Sequence, residues 1–192
     1  MRKKEIIHRA LSLFLACVIF FGTIFSSGNL FAEGVDRVNT KITKFEIKDE
    51  NGNPIPPDHV HGYYNKFRLE MDWDASSYGK TLKEGDYFIV KLPNQFKFPT
   101  EGPTVDFNLY VPGTNTVIAR AHVNSNGADG GGTVKVTFTN YVVNRENIKG
   151  NLFLDASFAH KNINAGGPNT IVVSINGVQT SVTINIEKKT GT

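Results

Sequence analysis

Polar and apolar residues alternate with a period of two along most of the chain, the mark of strands with one face in a core. In NKFRLEMDWD (65–74), Phe67, Leu69, Met71 and Trp73 fall on one face, and Lys66, Arg68, Glu70, Asp72 and Asp74 on the other. The same period places Val134, Val136 and Phe138 together in TVKVTFT (133–139), and Leu152, Leu154, Ala156 and Phe158 in NLFLDASFAH (151–160). NTIVVSI (169–175) offers Ile171, Val173 and Ile175, and TSVTINIE (180–187) offers Val182, Ile184 and Ile186. KITKFEIK (41–48), TVDFNLYV (104–111) and TVIARAHV (116–123) follow the same rule. In GKTLKEGDYFIVKLP (79–93), Phe88, Val90 and Leu92 alternate with Tyr87, Ile89 and Lys91. Gly85 and Asp86 supply a turn before that strand, with Asp86 bonding nearby backbone as an Asx-type turn, and Pro93 ends it because it has no N–H to donate.

The segments between these runs are turn chemistry. DENGNPIPP (49–57), PGTN (112–115), NSNGADGGG (124–132) and NAGGP (164–168) are rich in residues that accept positive φ or preset a bend. Asn176-Gly177 between two alternating runs predicts a two-residue type I′ hairpin. YVVNRENIKG (141–150) is the one segment that reads as a helical turn, closed by Gly150. About nine short strands, with no long amphipathic helix to cover a parallel sheet, predict an all-β, antiparallel Ig-like β-sandwich.

The N-terminus stands apart. Arg2, Lys3, Lys4 and Arg9 precede the apolar core LSLFLACVIFFGTIF (11–25), and small residues follow in SSGNLFAEG (26–34). This layout predicts a secretory signal peptide over residues 1–32, cut after Ala32 with Gly28 as the alternative, an Ig-like domain over 33–189 and a frayed tail over 190–192. The apolar core is shorter than the roughly 20 residues that span a bilayer, so no membrane contact is expected after cleavage.

Cleavage changes the charge argument. The 21 basic residues lose Arg2, Lys3, Lys4 and Arg9, and the 18 acidic residues lose Glu5, which leaves 17 of each. A neutral mature domain lacks the basic excess that nucleic-acid binding requires. Cys17, the single cysteine, also leaves with the signal, and Phe14 stands where a lipidation motif has leucine. The mature domain then has neither a thiol nor a disulfide, and its own core must hold it together.

Candidate chemistry is sparse. Asp58, His59 and His61 lie close in sequence and could offer two imidazoles and a carboxylate to zinc, but histidines beside a surface turn are the commoner reading, and no metal or cofactor is expected. NSNGADGGG fails the calcium-loop pattern, with Ala128 at a ligand position and Lys135 where the closing glutamate belongs, and reads as a flexible hairpin loop. Asp72 and Asp74 sit on the outer face of their strand, no nucleophile motif is present, and no enzymatic activity is expected. Lys44, Asn185 and Asp72 could in principle form an intramolecular isopeptide bond, but that reaction needs a buried lysine and the alternation turns Asn185 outward. Tyr63, Tyr64, Tyr78 and Tyr110 are candidate contact aromatics, and the alternative is that they pad the rims of the sandwich.

A strand ending in MDWD, then GKTLKEGDYFIVKLP, VKVTFTNYVVNRENIKGNLFLDASF and the closing hairpin NTIVVSINGVQTSVTINIEKK, follow in an order that is familiar. The succession resembles the N-terminal immunoglobulin-like subdomain of Gram-positive cell-surface adhesins, the collagen-binding group in particular, over about residues 35 to 189. The resemblance implies a secreted, non-catalytic adhesin domain that attaches to host extracellular matrix, with a collagen-like ligand and a second subdomain that closes around it. It also implies a cell-wall location within a larger anchored protein. No second subdomain or sorting motif follows residue 189, so the chain is expected to be the leading piece, or a truncated product, of such an adhesin. The ligand-contacting residues are left open, and a structural spacer or pilin-like module is the alternative role.

Overall fold

In the computed structural model, which describes residues 33–56 and 58–189, the alternating runs become the strands of two packed sheets. The strands are β1 (Lys41–Asp49), β2 (Val60–His61), β3 (Lys66–Asp74), β4 (Tyr87–Leu92), β5 (Phe96–Lys97) and β6 (Asp106–Tyr110). They continue as β7 (Val117–Ser125), β8 (Gly132–Phe138), β9 (Lys149–Phe158), β10 (Pro168–Ile175) and β11 (Val178–Ile186). One sheet has the order β1-β3-β9-β5, and the other β2-β11-β10-β4-β8-β7-β6. All strand pairs are antiparallel except β2 with β11. The expected all-β Ig-like sandwich is therefore what the chain forms; the signal peptide lies outside the described residues.

The period-two faces meet between the sheets. Phe67, Leu69, Met71 and Trp73 of β3 are buried, as are Phe88, Val90 and Leu92 of β4 and Leu152, Leu154, Ala156 and Phe158 of β9. Trp73 crosses from its sheet to lie 5.4 Å from Phe88 and 5.8 Å from Phe138 of the other. A second aromatic group joins Phe67, Phe96 and Phe158 at centroid distances of 4.6–5.5 Å. Burying each such side chain contributes about 1.5–3 kcal/mol before the entropy of ordering it, which is how a domain without a disulfide holds together.

Two departures from the sequence reading have clear causes. β2 and β5 are two residues long, too short for a period to register. The segment 141–150 is not a helical turn closed by Gly150: a single 3-10 turn spans Asn140–Val142, and Gly150 lies inside β9 opposite Trp73. A Cβ on Gly150 would sit 2.3 Å from the indole ring, so the glycine is required by a close approach and does not stop a helix. The hairpin at Asn176-Gly177 forms as expected, with φ of 47° and 79°.

Candidate functional site

The Gly85-Asp86 pair is a structural clasp. Asp86 is buried, and its carboxylate accepts the backbone N–H of Lys83 at 2.9 Å and of Val35 at 3.0 Å. Arg37 completes the set, donating from Nε to Oδ2 at 2.8 Å and lying 2.5 Å away through Nη2. Burial works against the charged form of Asp86, but the two backbone donors and the guanidinium outweigh it and hold the carboxyl below its usual range. Asp86 bonds the turn backward, to Lys83 three residues before it, and not two residues on as an Asx-type turn does; the long-range bonds to Val35 and Arg37 are additions that sequence spacing could not show. Together they seat residues 35–37 beside β4, where Tyr87 donates to the Val35 carbonyl and Arg37 donates to that of Tyr87. Gly34 makes the approach possible, since a Cβ there would stand 1.7 Å from the Gly85 carbonyl oxygen.

The remaining candidates separate. Tyr78 accepts the Asn39 N–H at 2.7 Å and lies under Arg37, so it anchors the same N-terminal segment. Tyr63 stacks on His160 at 4.1 Å, with the exposed Tyr64 edge-on to both. Tyr110 is exposed on β6, apart from this group. The four tyrosines thus form no single strip. His59 and His61 meet edge to face at 5.2 Å, and among the described residues no three His, Cys, Asp or Glu side chains are placed to hold a metal. Lys44 is exposed, with its ammonium 3.0 Å from Glu46, and the exposed Asn185 lies on the other sheet, so the burial that an isopeptide reaction needs is missing. Asp129 in the 124–132 loop pairs with Lys161, and Asn162 donates to the Asp129 carbonyl, so this hairpin loop is tethered and not free.

The outer face of the four-stranded sheet carries a ladder of charges. Lys48 reaches Glu70 at 2.6 Å, Arg68 reaches Asp155 at 3.4 Å and Lys149 reaches Asp74 at 3.2 Å. This ladder is the structural role of Asp74, whose carboxyl partial burial raises but Ser76 and Lys149 hold below the usual range. The paired aspartates of β3 therefore serve a solvated sheet face.

The feature that offers itself to a partner is an edge. β9 pairs with β3 from Lys149 to Ser157, but β5 covers only Ser157 and Phe158 on the opposite side. Ala159 donates to the Gln95 carbonyl on that side at 2.7 Å, while Ile148 accepts from Ala75 on the β3 side. Because bonding direction alternates along a strand, Asn151, Phe153 and Asp155 turn their backbone N–H and C=O groups away from β3, and no described strand meets them. Phe153 is half exposed here, with Arg68 lying over its ring. Two grooves flank the edge. One, of about 640 Å3, runs past Lys97, Phe98, Thr100 and Asp155, and the other, of about 340 Å3, lies between β9 and β6 and is lined by Tyr110, Pro112, Asn151 and Phe153. The sequence allows contact along a sheet face or an exposed strand edge but could not say which strand supplies it, because alternation reports which face is buried and not which neighbour a strand finds.

Comparison with known proteins places the fold. Residues 62–168 match the bacterial Ig domain family. Fibronectin-binding protein A of Staphylococcus aureus (strain MRSA252) is 27% identical over 158 residues, covering 80% of this chain and 15% of that protein. Clumping factor A of Staphylococcus aureus (strain Mu50 / ATCC 700699) is 28% identical over 160 residues, covering 82% of this chain and 16% of that protein. The chain thus spans about a sixth of the length of these relatives. Among solved structures, the serine-rich repeat adhesion glycoprotein Srr1 of Streptococcus agalactiae superimposes with a TM-score of 0.55 at 15% identity, covering 82% of this chain and 49% of that one. The collagen adhesin of S. aureus gives a TM-score of 0.51 at 16% identity, covering 84% and 47%. These two share the fold, and the resemblance read from the sequence is borne out.

Proposed function

The chain belongs to the bacterial Ig domain family, and on that premise we propose that it is an adhesin domain that attaches a bacterial surface to host extracellular matrix, with a collagen-type ligand as the leading case. Residues 1–32 act as the secretory signal, and removing them leaves the domain of 33–189 outside the cell, as part of a larger wall-attached adhesin in which a second subdomain completes the grip on the ligand.

The free edge of β9 is the observation that carries this reading. Unpaired N–H and C=O groups in register recognise the backbone of any extended chain, and flanking grooves add selectivity through alternate side chains. Strand addition therefore suits an extended segment of a matrix protein, whereas a triple-helical ligand, whose chains are PPII-like and bonded to one another, would lie in the flanking grooves. The relatedness to proteins named fibronectin-binding protein and clumping factor, and the fold shared with a collagen adhesin, support the same class of partner. The function is read as binding, since the engaged carboxylates Asp86, Asp74, Glu70 and Asp129 serve a clasp and ion pairs.

The test is a titration of the purified chain over immobilised collagen, fibronectin and other matrix proteins. Saturable binding that Phe153→Pro removes, with the fold unchanged, is expected, because proline deletes an outward N–H without breaking the β3 ladder. Equal binding by that variant would move the contact away from β9. Silence on every matrix protein would leave the spacer role.

A further inference from the structure

The strand β2 is only two residues long, yet it holds the end of the last strand. Val60 and His61 pair in parallel with Asn185 and Ile186, and Glu187 donates its N–H to the His61 carbonyl at 2.9 Å. The Glu187 carboxylate returns the contact by accepting the Tyr63 N–H at 2.8 Å. These few bonds clip the chain down at the end of β11.

The clip is built around a buried imidazole. His61 is 3% exposed, and its Nδ1 is buried without a hydrogen-bond partner. The ring is packed edge to face against His59 and Phe67, each at 5.2 Å. From β3 it meets the apolar Phe67, and on its own segment it meets His59, which repels a second positive charge. From β11 the nearby carboxylate, Glu187, is already engaged with the Tyr63 N–H. His160, in the 3-10 turn after β9, donates from Nε2 to the Tyr63 carbonyl and stacks on Tyr63. Protonating His160 on Nδ1 leaves that bond intact. Protonating His61 places a charge and an unanswered N–H in an apolar site, which native packing does not tolerate.

We infer that β2 is an acid-released clip: protonation of His61 frees Val60–Tyr63 from the end of β11, exposing the edge of β11 at Asn185 and Ile186 while the rest of the sandwich stays folded. Burial, reinforced by His59, lowers the His61 pKa below the usual imidazole value of about 6.5. The open form binds more protons than the closed form, so closure is fully favoured above about pH 6.5 and weakens as the pH falls toward the lowered value in the closed state.

Amide hydrogen exchange on the purified chain, at pH 7.4 and 5.0 and corrected for intrinsic rates, tests the clip. Protection at Glu187 and Tyr63 should fall by up to tenfold for every unit that the closed-state His61 pKa lies below 6.5, while β3 and β9 amides keep theirs. His61→Phe should remove this local dependence, and His160→Gln should retain it. Independently of any variant, the His61 ring resonances of the wild-type chain should titrate below 6.5. A ring titrating at or above 6.5, an acid loss spread evenly over β3 and β9, or the same fall in His61→Phe would each overturn the inference.

Discussion

Both sheets contain a place where a strand lacks a neighbour, and the chain treats the two differently. In the seven-stranded sheet, β10 meets β4 only at Val90 and Lys91, which leaves the start of β4 uncovered. Residues 35–37 fill that gap, with Asp36 bridging Tyr87 and Asp86 anchoring both Val35 and Arg37. In the four-stranded sheet, β5 leaves β9 after Ser157, and no described segment fills the gap beside Asn151, Phe153 and Asp155. The closed gap is sealed by a buried carboxylate and a glycine that permits contact. The open one carries an exposed aromatic and rim charges, the dress of a surface that meets something else.

The largest expected effect comes from breaking the closed gap. Asp86→Ala should lower stability by about 3 kcal/mol in urea denaturation, because it strands the Arg37 guanidinium and two N–H groups. The depressed carboxyl sets the sign with pH. Its contribution is complete above about pH 4, the unfolded carboxyl value, and is lost as the pH falls through the lower folded one, so the gap between wild type and Asp86→Asn should narrow in acid. A matched pair of prolines then contrasts the gaps directly. Val35→Pro removes an N–H that Asp86 uses and should destabilise by about 2 kcal/mol, whereas Phe153→Pro removes one that no described strand uses and should change stability by roughly 1 kcal/mol or less. Equal losses in the two variants, measured side by side, would erase the distinction between filled and empty edges. Asp155→Asn, which removes an exposed pairing with Arg68, should shift stability by less than about 0.5 kcal/mol.

The strands themselves were legible because burial writes a period of two wherever one face meets the core. Leu152, Leu154 and Ala156 show it plainly, and so do Phe88, Val90 and Leu92. Asn176-Gly177 was legible because few residues tolerate two consecutive positive φ values. Gly150 was misread for a reason of the same kind. A glycine after a polar stretch looks the same whether it stops a helix or admits an indole ring from another strand, and only Trp73 decides between them. The tyrosines were indistinguishable in sequence, yet Tyr78 is fixed under Arg37 while Tyr64 and Tyr110 stand in solvent. Asp86 read correctly as a turn residue, but its bond to Val35 spans 51 positions, a partnership that local spacing cannot encode.

By itself, then, the sequence determined which residues lie inward, where the chain turns, and the class of fold, since these follow from local conformational preference and from the hydrophobic effect acting on alternate positions. Tertiary structure alone decided that residues 35–37 close one gap, that β9 is left open beside two grooves, and that His61 lies buried at the end of β11. Those outcomes depend on which strands become neighbours, and neighbourhood is set by packing and hydrogen bonding between segments far apart in the chain.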